Sequence, residues 1–291
     1  MRVLQFGVGA ALAVVMLCLA AGYLGRLHPA GDSFAVFRPQ GALALVLLAG
    51  LAAMVALPGT AVFALLVAAA TGGPILASER WATPPEAGLQ LYQKNMLYKN
   101  DDLAGLEADI RAADPDVVTL QEVSHGNREL MGRLADILPH QVFCRFERVG
   151  AVAVLTRLPP VPGREVCGHG MAAIEVEGPE GRVWLASVHL NWPWPYAQPA
   201  HLSRVLPVIE ALDGPVVIAG DFNMVRWSTA LARVRAASGT QVVGPVLGSY
   251  VGFAPWALLP IDHVMAPRGG TAAVRPLLGS DHLGLLARVR L

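Results

Sequence analysis

Two long stretches without a charge decide what the first quarter of this chain can be. Val3 to Gly25 contains no Asp, Glu, Lys or Arg, and neither does Gly41 to Ser78. A helix satisfies its own backbone hydrogen bonds, so an uncharged helical segment can enter hydrocarbon. Val3–Leu24 is long enough to span roughly 30 Å of bilayer core at about 1.5 Å per residue. A cleaved signal peptide with Arg2 as its basic end would carry an apolar stretch of only about 7–15 residues, so we read a retained helix. The 37 residues Gly41–Ala77 would make one helix of about 55 Å, nearly twice the hydrocarbon thickness. Pro58-Gly59-Thr60 near their middle is turn chemistry, which predicts a hairpin of helices over 41–57 and 61–77. Gly72, Gly73 and Pro74 weaken the last helix, but membrane helices tolerate them. A buried hairpin of a soluble protein would need polar positions on its outer face, and there are almost none. The expectation is a transmembrane region over 1–78 with three helices, at 3–24, 41–57 and 61–77.

Beyond Glu79 the composition turns ordinary, so 54% hydrophobic and 15% charged residues are averages over two unlike parts. Residues 79–88, with Pro84-Pro85, read as a short stiff linker, and 89–291 as a soluble domain. Three crossings put the N-terminus and that domain on opposite sides. Arg26 and Arg38 in the first loop favour a cytoplasmic domain. Cys144 and Cys167 point the other way if they are bridged, because a disulfide needs an oxidising compartment. The expectation is a multi-pass inner-membrane protein with its domain on the periplasmic side. No C-x-x-C occurs, which argues against structural zinc. Net charge is zero and Lys occurs only at positions 94 and 99. Charge thus neither supports nor excludes a nucleic-acid partner.

The soluble part alternates strands and helices. Strands are expected at 89–96, 117–123, 141–146, 151–156, 172–177, 183–189, 216–219, 261–265, 272–276 and 283–289. Helices are expected at 103–113, capped by Asn100, Asp101 and Asp102, and at 128–138 and 199–212. This order predicts an α/β fold, a four-layer α/β sandwich of two packed mixed sheets flanked by helices.

Polar residues gather where strands end, which is where α/β folds place their sites. Asn95 closes the first strand, and Glu122 the second in Leu-Gln-Glu. His189 and Asn191 close another in Val-His-Leu-Asn. Asp221 and Asn223 stand in Gly-Asp-Phe-Asn, Asp262 in Ile-Asp-His, and Asp281 and His282 in Ser-Asp-His. Taken singly, each has an ordinary structural explanation: a turn, a solvated strand edge, a helix cap or a core histidine. Their order resembles the endonuclease/exonuclease/phosphatase superfamily, with Asp114-Pro115-Asp116-Val117-Val118 and Thr156-Arg157-Leu158-Pro159 adding to the likeness over Leu89–Leu291. Bacterial members with a few N-terminal membrane helices look similar.

The resemblance implies a hydrolase of phosphate esters, foremost nuclease-like phosphodiester cleavage, with Mg²⁺ or Mn²⁺ as cofactor. It implies Glu122 as the principal metal ligand, Asn95 beside it, and Asp281 as a further carboxylate at the metal. Asp221 would activate the attacking water and Asn223 hold that water or a phosphate oxygen. His282 would bind phosphate with its tautomer set by Asp262, His189 would act near the leaving oxygen, and Asn191 would contact phosphate. Hard cations favour such oxygen ligands and keep several waters. Where many relatives carry Trp before the first-strand Asn, this chain has Lys94. Lipid or small-molecule phosphoesters stay open as alternative substrates. So does a catalytically idle membrane protein that uses the fold for binding. The expected partners are the phosphate-ester substrate, nucleic acid or phospholipid among them, and the lipid bilayer, with no obligate protein partner. Trp192-Pro193-Trp194-Pro195-Tyr196 could stack a base, suit a membrane interface or simply fill a rim.

Overall fold

The computed structural model describes residues 1–77, 88–147, 150–252 and 258–291. The chain opens with α1 (Arg2–Ala21), a short α2 (Ala30–Ala35), α3 (Arg38–Met54) and α4 (Pro58–Ala77). By length and composition α1 and α4 could cross a membrane, and α3 is a shorter apolar helix of 17 residues. Small side chains dominate the seam between α3 and α4, with Leu12 and Leu19 of α1 buried beside them. Ala42, Leu45, Ala49 and Ala52 of α3 and Ala61, Ala64, Ala68 and Thr71 of α4 are the buried positions. Large apolar residues point outward, with Val3, Phe6, Leu47, Met54, Phe63 and Leu66 all exposed. That inverts the arrangement of a water-soluble bundle. The helix α2 lies in a segment for which the sequence suggested no element. The expected linker falls outside the described residues, apart from Gly88.

Two six-stranded sheets make up the rest. One runs β11 (Gly270–Arg275), β12 (Gly284–Val289), β1 (Leu89–Asn95), β2 (Val117–Val123), β4 (Gly150–Thr156), β3 (His140–Glu147). The other runs β5 (Pro160–Gly168), β6 (Met171–Gly178), β7 (Gly181–His189), β8 (Val216–Asp221), β10 (Asp262–Ala266), β9 (Gln241–Val242). Each is mixed, with one parallel pair, β1 with β2 and β7 with β8. Leu91, Val117 and Val154 from one sheet meet Ile174, Leu185 and Val217 from the other in the central core. The outer faces are covered by α5 (Leu103–Ala113) and α6 (Glu129–Arg133) on one side, and by α7 (Gln198–Glu210) and α8 (Thr229–Ser238) on the other. This is the four-layer α/β sandwich expected. The helix α5 starts where Asp102 accepts a hydrogen bond from the Gly105 N–H at 3.0 Å, and buries Leu103, Leu106 and Ile110. A bridge between Cys144 of β3 and Cys167 of β5, with Cα atoms 5.4 Å apart, ties an edge strand of one sheet to an edge strand of the other.

Four elements of the domain depart from expectation, one of them the two-residue β9, where no strand was expected. The helix expected over 128–138 is regular only from Glu129 to Arg133 and continues as turns. Leu130, Leu134 and Leu138 stay buried through those turns, so the apolar period survives while Gly132 and Pro139 limit the helix. The strand β5 escaped because Pro160, Pro162 and Gly163 argue against a strand; it sits at a sheet edge, where proline is tolerated. The helix α8 also escaped. Ser228 accepts from the Leu231 N–H at 3.1 Å and Gly239 ends the helix at φ 64°, so both caps are present in the sequence.

Candidate active site

The parallel pairs deliver the site. Asn95 and Glu122 lie at the C-terminal ends of β1 and β2, and His189 and Asp221 are register partners at the ends of β7 and β8. Local backbone geometry aims these side chains. The β2–β4 register shifts between Leu120 and Val123, and Glu122 takes a left-handed φ of 55°. Gly150 on β4 leaves room for that bulge, since a Cβ there would lie 2.5 Å from the Glu122 Cα. Gly220 is required for a similar reason: a Cβ would overlap the Val188 carbonyl oxygen of the paired strand. Asn223, at φ 48°, donates its backbone N–H to Asp221 Oδ1 at 2.8 Å, the local turn that Asn and Asp favour.

The carboxylates are linked by hydrogen bonds. Asn95 Nδ2 donates to Asp221 Oδ2 at 3.0 Å and, more weakly, to Glu122 Oε1 at 3.4 Å. The Tyr98 N–H donates to Glu122 Oε2 at 3.0 Å. His282 Nδ1 meets Asp262 Oδ2 at 2.7 Å, while its Nε2 lies 3.7 Å from Asp221 Oδ2. His189 Nε2 approaches the same Asp221 oxygen at 3.6 Å. Asn223 Nδ2 donates to the Leu190 carbonyl at 2.8 Å, and its buried Oδ1 has no hydrogen-bond partner.

Burial and charge set the ionisation. Burial pushes the Asp221 carboxyl up to about 7, against the pull of His282. Burial likewise raises Glu122 and lowers His189 to about 4. For His282 burial opposes the charge, yet the carboxylates of Asp262 and Asp221 outweigh it and lift the imidazole to about 9. Asp262 is correspondingly held low, burial being overcome by the His282 charge and by its hydrogen bonds.

A cavity of about 540 Å³ opens here, lined by Glu122, His189, Asn191, Asp221, Asn223, Asp281 and His282 together with Tyr98, Phe146, Trp192, Tyr196 and Tyr250. Asn95 and Asp262 support it from behind, both fully buried. All nine site residues singled out in the sequence therefore converge at one end of the sandwich. The lining contains three acidic side chains and no Lys or Arg among the described residues. Such a donor set suits a hard divalent cation, which would neutralise carboxylates that burial leaves poorly compensated. Asp221, Asp262 and His282 also have donor atoms within 4.8 Å of one another, close enough to share an ion.

Several working parts escaped sequence reasoning. A buried chain runs from Ser187 to Gln121 (2.9 Å), from Gln121 to Gln93 (2.8 Å) and from Gln93 to Asp262 (2.8 Å), crossing between the sheets. Ser249 accepts from the Asp262 N–H at 3.1 Å, and Ser280 donates to the Asn95 carbonyl at 2.7 Å. Lys94 is fully buried, and its ammonium donates to the carbonyls of Pro276 (3.0 Å), Leu277 (2.6 Å) and His282 (2.6 Å). The available signal was polar residues on strands otherwise apolar, Gln93, Lys94 and Gln121 above all. By contrast His263, next to Asp262, is a core histidine whose Nε2 meets the Met224 carbonyl at 2.8 Å.

Solved structures with this architecture are numerous. An endonuclease/exonuclease/phosphatase from Bacteroides vulgatus is 16% identical, with a TM-score of 0.56 over 71% of this chain and 100% of its own. TDP2 of D. rerio, humanized by 14 mutations, is 19% identical, with a TM-score of 0.54 over 70% and 99%. A mutant beta toxin from Staphylococcus aureus with bound magnesium ions is 12% identical, with a TM-score of 0.53 over 70% and 100%. At these identities the likeness is one of fold. No curated protein matches by sequence. Residues 92–282, more than half of the chain, match the Endonuclease/Exonuclease/phosphatase family, whose members are hydrolases acting on phosphate esters, and the chain belongs to that family.

Proposed function

We propose that residues 89–291 form a divalent-metal-dependent phosphoesterase carried on a membrane region of residues 1–78. The observation that carries this reading is the convergence of Glu122, Asp221, Asp281, His189 and His282 on one cavity. Glu122 would hold the cation, with Asn95 and Asp281 beside it. The cation, Mg²⁺ or Mn²⁺, supplies charge neutralisation at the phosphate and the leaving oxygen. We favour Glu122 over the Asp221–Asp262–His282 group, because His282 Nδ1 and both Asp262 oxygens already have hydrogen-bond partners. Asp221 accepts the proton of the attacking water as water adds to phosphorus and the ester P–O bond breaks. His282, kept charged by Asp262, binds phosphate oxygens together with Asn191 and Asn223. His189, kept neutral by burial, donates a hydrogen bond on the leaving-oxygen side.

The outward-facing apolar residues of α1, α3 and α4 support three crossings of a bilayer. The Cys144–Cys167 bridge supports a domain on the oxidising, external side.

The test uses full-length protein in detergent with ethyl p-nitrophenyl phosphate. Turnover should need Mg²⁺ or Mn²⁺ and stop with chelator. Glu122→Gln and Glu122→Ala should each lower it at least about 10²-fold, in line with loss of electrostatic stabilisation of the transition state. Undiminished turnover in both variants, at an unchanged unfolding midpoint, would remove Glu122 from the metal site.

A further inference from the structure

The segment between α1 and α3 is fastened to the domain beside the mouth of the site. Asp32 accepts the N–H groups of Thr229 and Ala230 at 2.7 and 2.9 Å, at the start of α8. Trp227 Nε1 donates to the Ala35 carbonyl at 2.7 Å, and Arg38 donates to the Trp227 carbonyl at 3.2 Å. Ser33 Oγ donates to the Trp194 carbonyl at 2.6 Å, and the His28 ring meets the Trp194 ring edge-on, centroids 5.8 Å apart. Gly25 passes so close to Asp32 and Thr229 that a Cβ would lie about 2.5 Å from both side chains.

These contacts fix an orientation. The chain reaches α8 directly from Asp221 and Asn223 at the end of β8, so the fastened end of α8 is the active-site end. Trp194 belongs to the loop whose Trp192 and Tyr196 line the cavity. In an up–down–up bundle the end of α1, the start of α3 and the end of α4 share one end, and that end carries the fastened segment. The mouth of the site therefore lies beside the bilayer surface that the three helices would define.

The side chains there match such a surface. Among the described residues every exposed Trp or Tyr is Tyr23, just after α1, or Tyr98, Trp192, Trp194 or Tyr196 at the mouth. Trp and Tyr favour the membrane–water interface. A nucleic-acid track would instead need Lys or Arg along the groove, and the described lining has none.

We infer that the site takes phosphate esters of bilayer-resident amphiphiles, presented at the surface of the membrane holding the enzyme's own helices. This rests on the phosphoesterase reading above. The hydrolysis is the same: water adds to phosphorus, the ester P–O bond breaks and the leaving oxygen is protonated. Only the presentation of the ester is new.

The experiment compares one reacting group with and without a tail. Full-length protein is reconstituted in phosphatidylcholine vesicles and given hexadecyl p-nitrophenyl phosphate in the vesicles, ethyl p-nitrophenyl phosphate in solution, or a single-stranded oligonucleotide, each with Mg²⁺. The hexadecyl ester should be hydrolysed at least about tenfold more efficiently than the ethyl ester, as expected when both reactants share one surface. Trp194→Ala should cut that preference while leaving turnover of the ethyl ester within about twofold of the parent, since Trp194 stays outside the cavity. Equal efficiency on the two esters, preference for the oligonucleotide, or a preference untouched by Trp194→Ala would overturn the inference while Glu122-dependent turnover of the ethyl ester left the phosphoesterase reading standing. Hydrolysis of none of the three would remove both.

Discussion

Lys94 shows how one residue can brace a site that it never lines. Its ammonium is fully enclosed and donates to three carbonyl oxygens, two at the start of the loop 276–282 and one at His282 itself. Burial draws its pKa down to about 8, against the pull of Asp262, Asp109 and Asp281. A buried charge is tolerated when its hydrogen bonds are complete, and this one tethers the backbone that carries Asp281 and His282. Replacing Lys94 by Met keeps the apolar stem and removes the donor. We expect a stability loss of about 1–3 kcal/mol from carbonyls left unpaired. We also expect a weaker apparent affinity for Mg²⁺, because Asp281 loses its fixed position. A lower unfolding midpoint with an unchanged metal titration would make Lys94 a core residue only. The sequence flags Lys94 as unusual where relatives carry Trp, but its partners lie more than 180 residues away along the chain, beyond the reach of local pattern.

At the scale of elements, α5 is pinned to the sheet by Asp109, which accepts from the buried Tyr92 hydroxyl of β1 at 2.6 Å and pairs with Arg275 of β11. Burial opposes the Asp109 charge, but Arg275 and Tyr92 together hold its carboxyl below the usual range. A carboxylate with a depressed folded-state pKa stabilises the fold above its unfolded pKa and loses that contribution as pH falls through its folded one. Asp109→Asn should therefore lower the unfolding midpoint at pH 7, and the gap from the parent should close below about pH 4. A gap independent of pH would mean that the pairing contributes nothing through its charge. Much at this scale was legible. Apolar runs broken by Asp114-Pro115-Asp116 announced β2, and Asp102 announced α5, because caps and periodicity are local. The strand β5 was hidden since its prolines make sense only at a sheet edge, and edges are set by the whole fold. The site residues were legible as a set because their order resembles that of the superfamily, and the strand ends bring them to one cavity. The Gln93–Gln121–Ser187 chain was not, since it depends on which faces of two sheets meet.

At the scale of the molecule, two features constrain how the chain sits in its cell. The fastening of residues 28–38 to the domain needs that segment and the domain to share one side of the bilayer. The proposed three crossings satisfy this, since the two by α3 and α4 return the chain to the side on which α1 ends. In the proposed topology the Cys144–Cys167 bridge favours the external side, because such a link persists where thiols are oxidised. The two features are independent, and together they make one prediction. Cells are lysed under rapid alkylation with a maleimide that adds mass, without reductant. Cys144 and Cys167 should resist alkylation, and Cys144→Ser should expose Cys167 to it. The chain should remain in the membrane fraction after carbonate washing, and protease added to spheroplasts should digest the domain but not reach α1 to α4. Reduction should cost about 2–4 kcal/mol of stability, the usual contribution of such a cross-link. Both cysteines alkylated in the parent, with the domain protected from protease in spheroplasts, would place the domain in the cytoplasm, where Arg26 and Arg38 alone would have put it. That outcome would leave the fastened segment and the site's orientation toward the bilayer intact, since neither depends on which side is chosen.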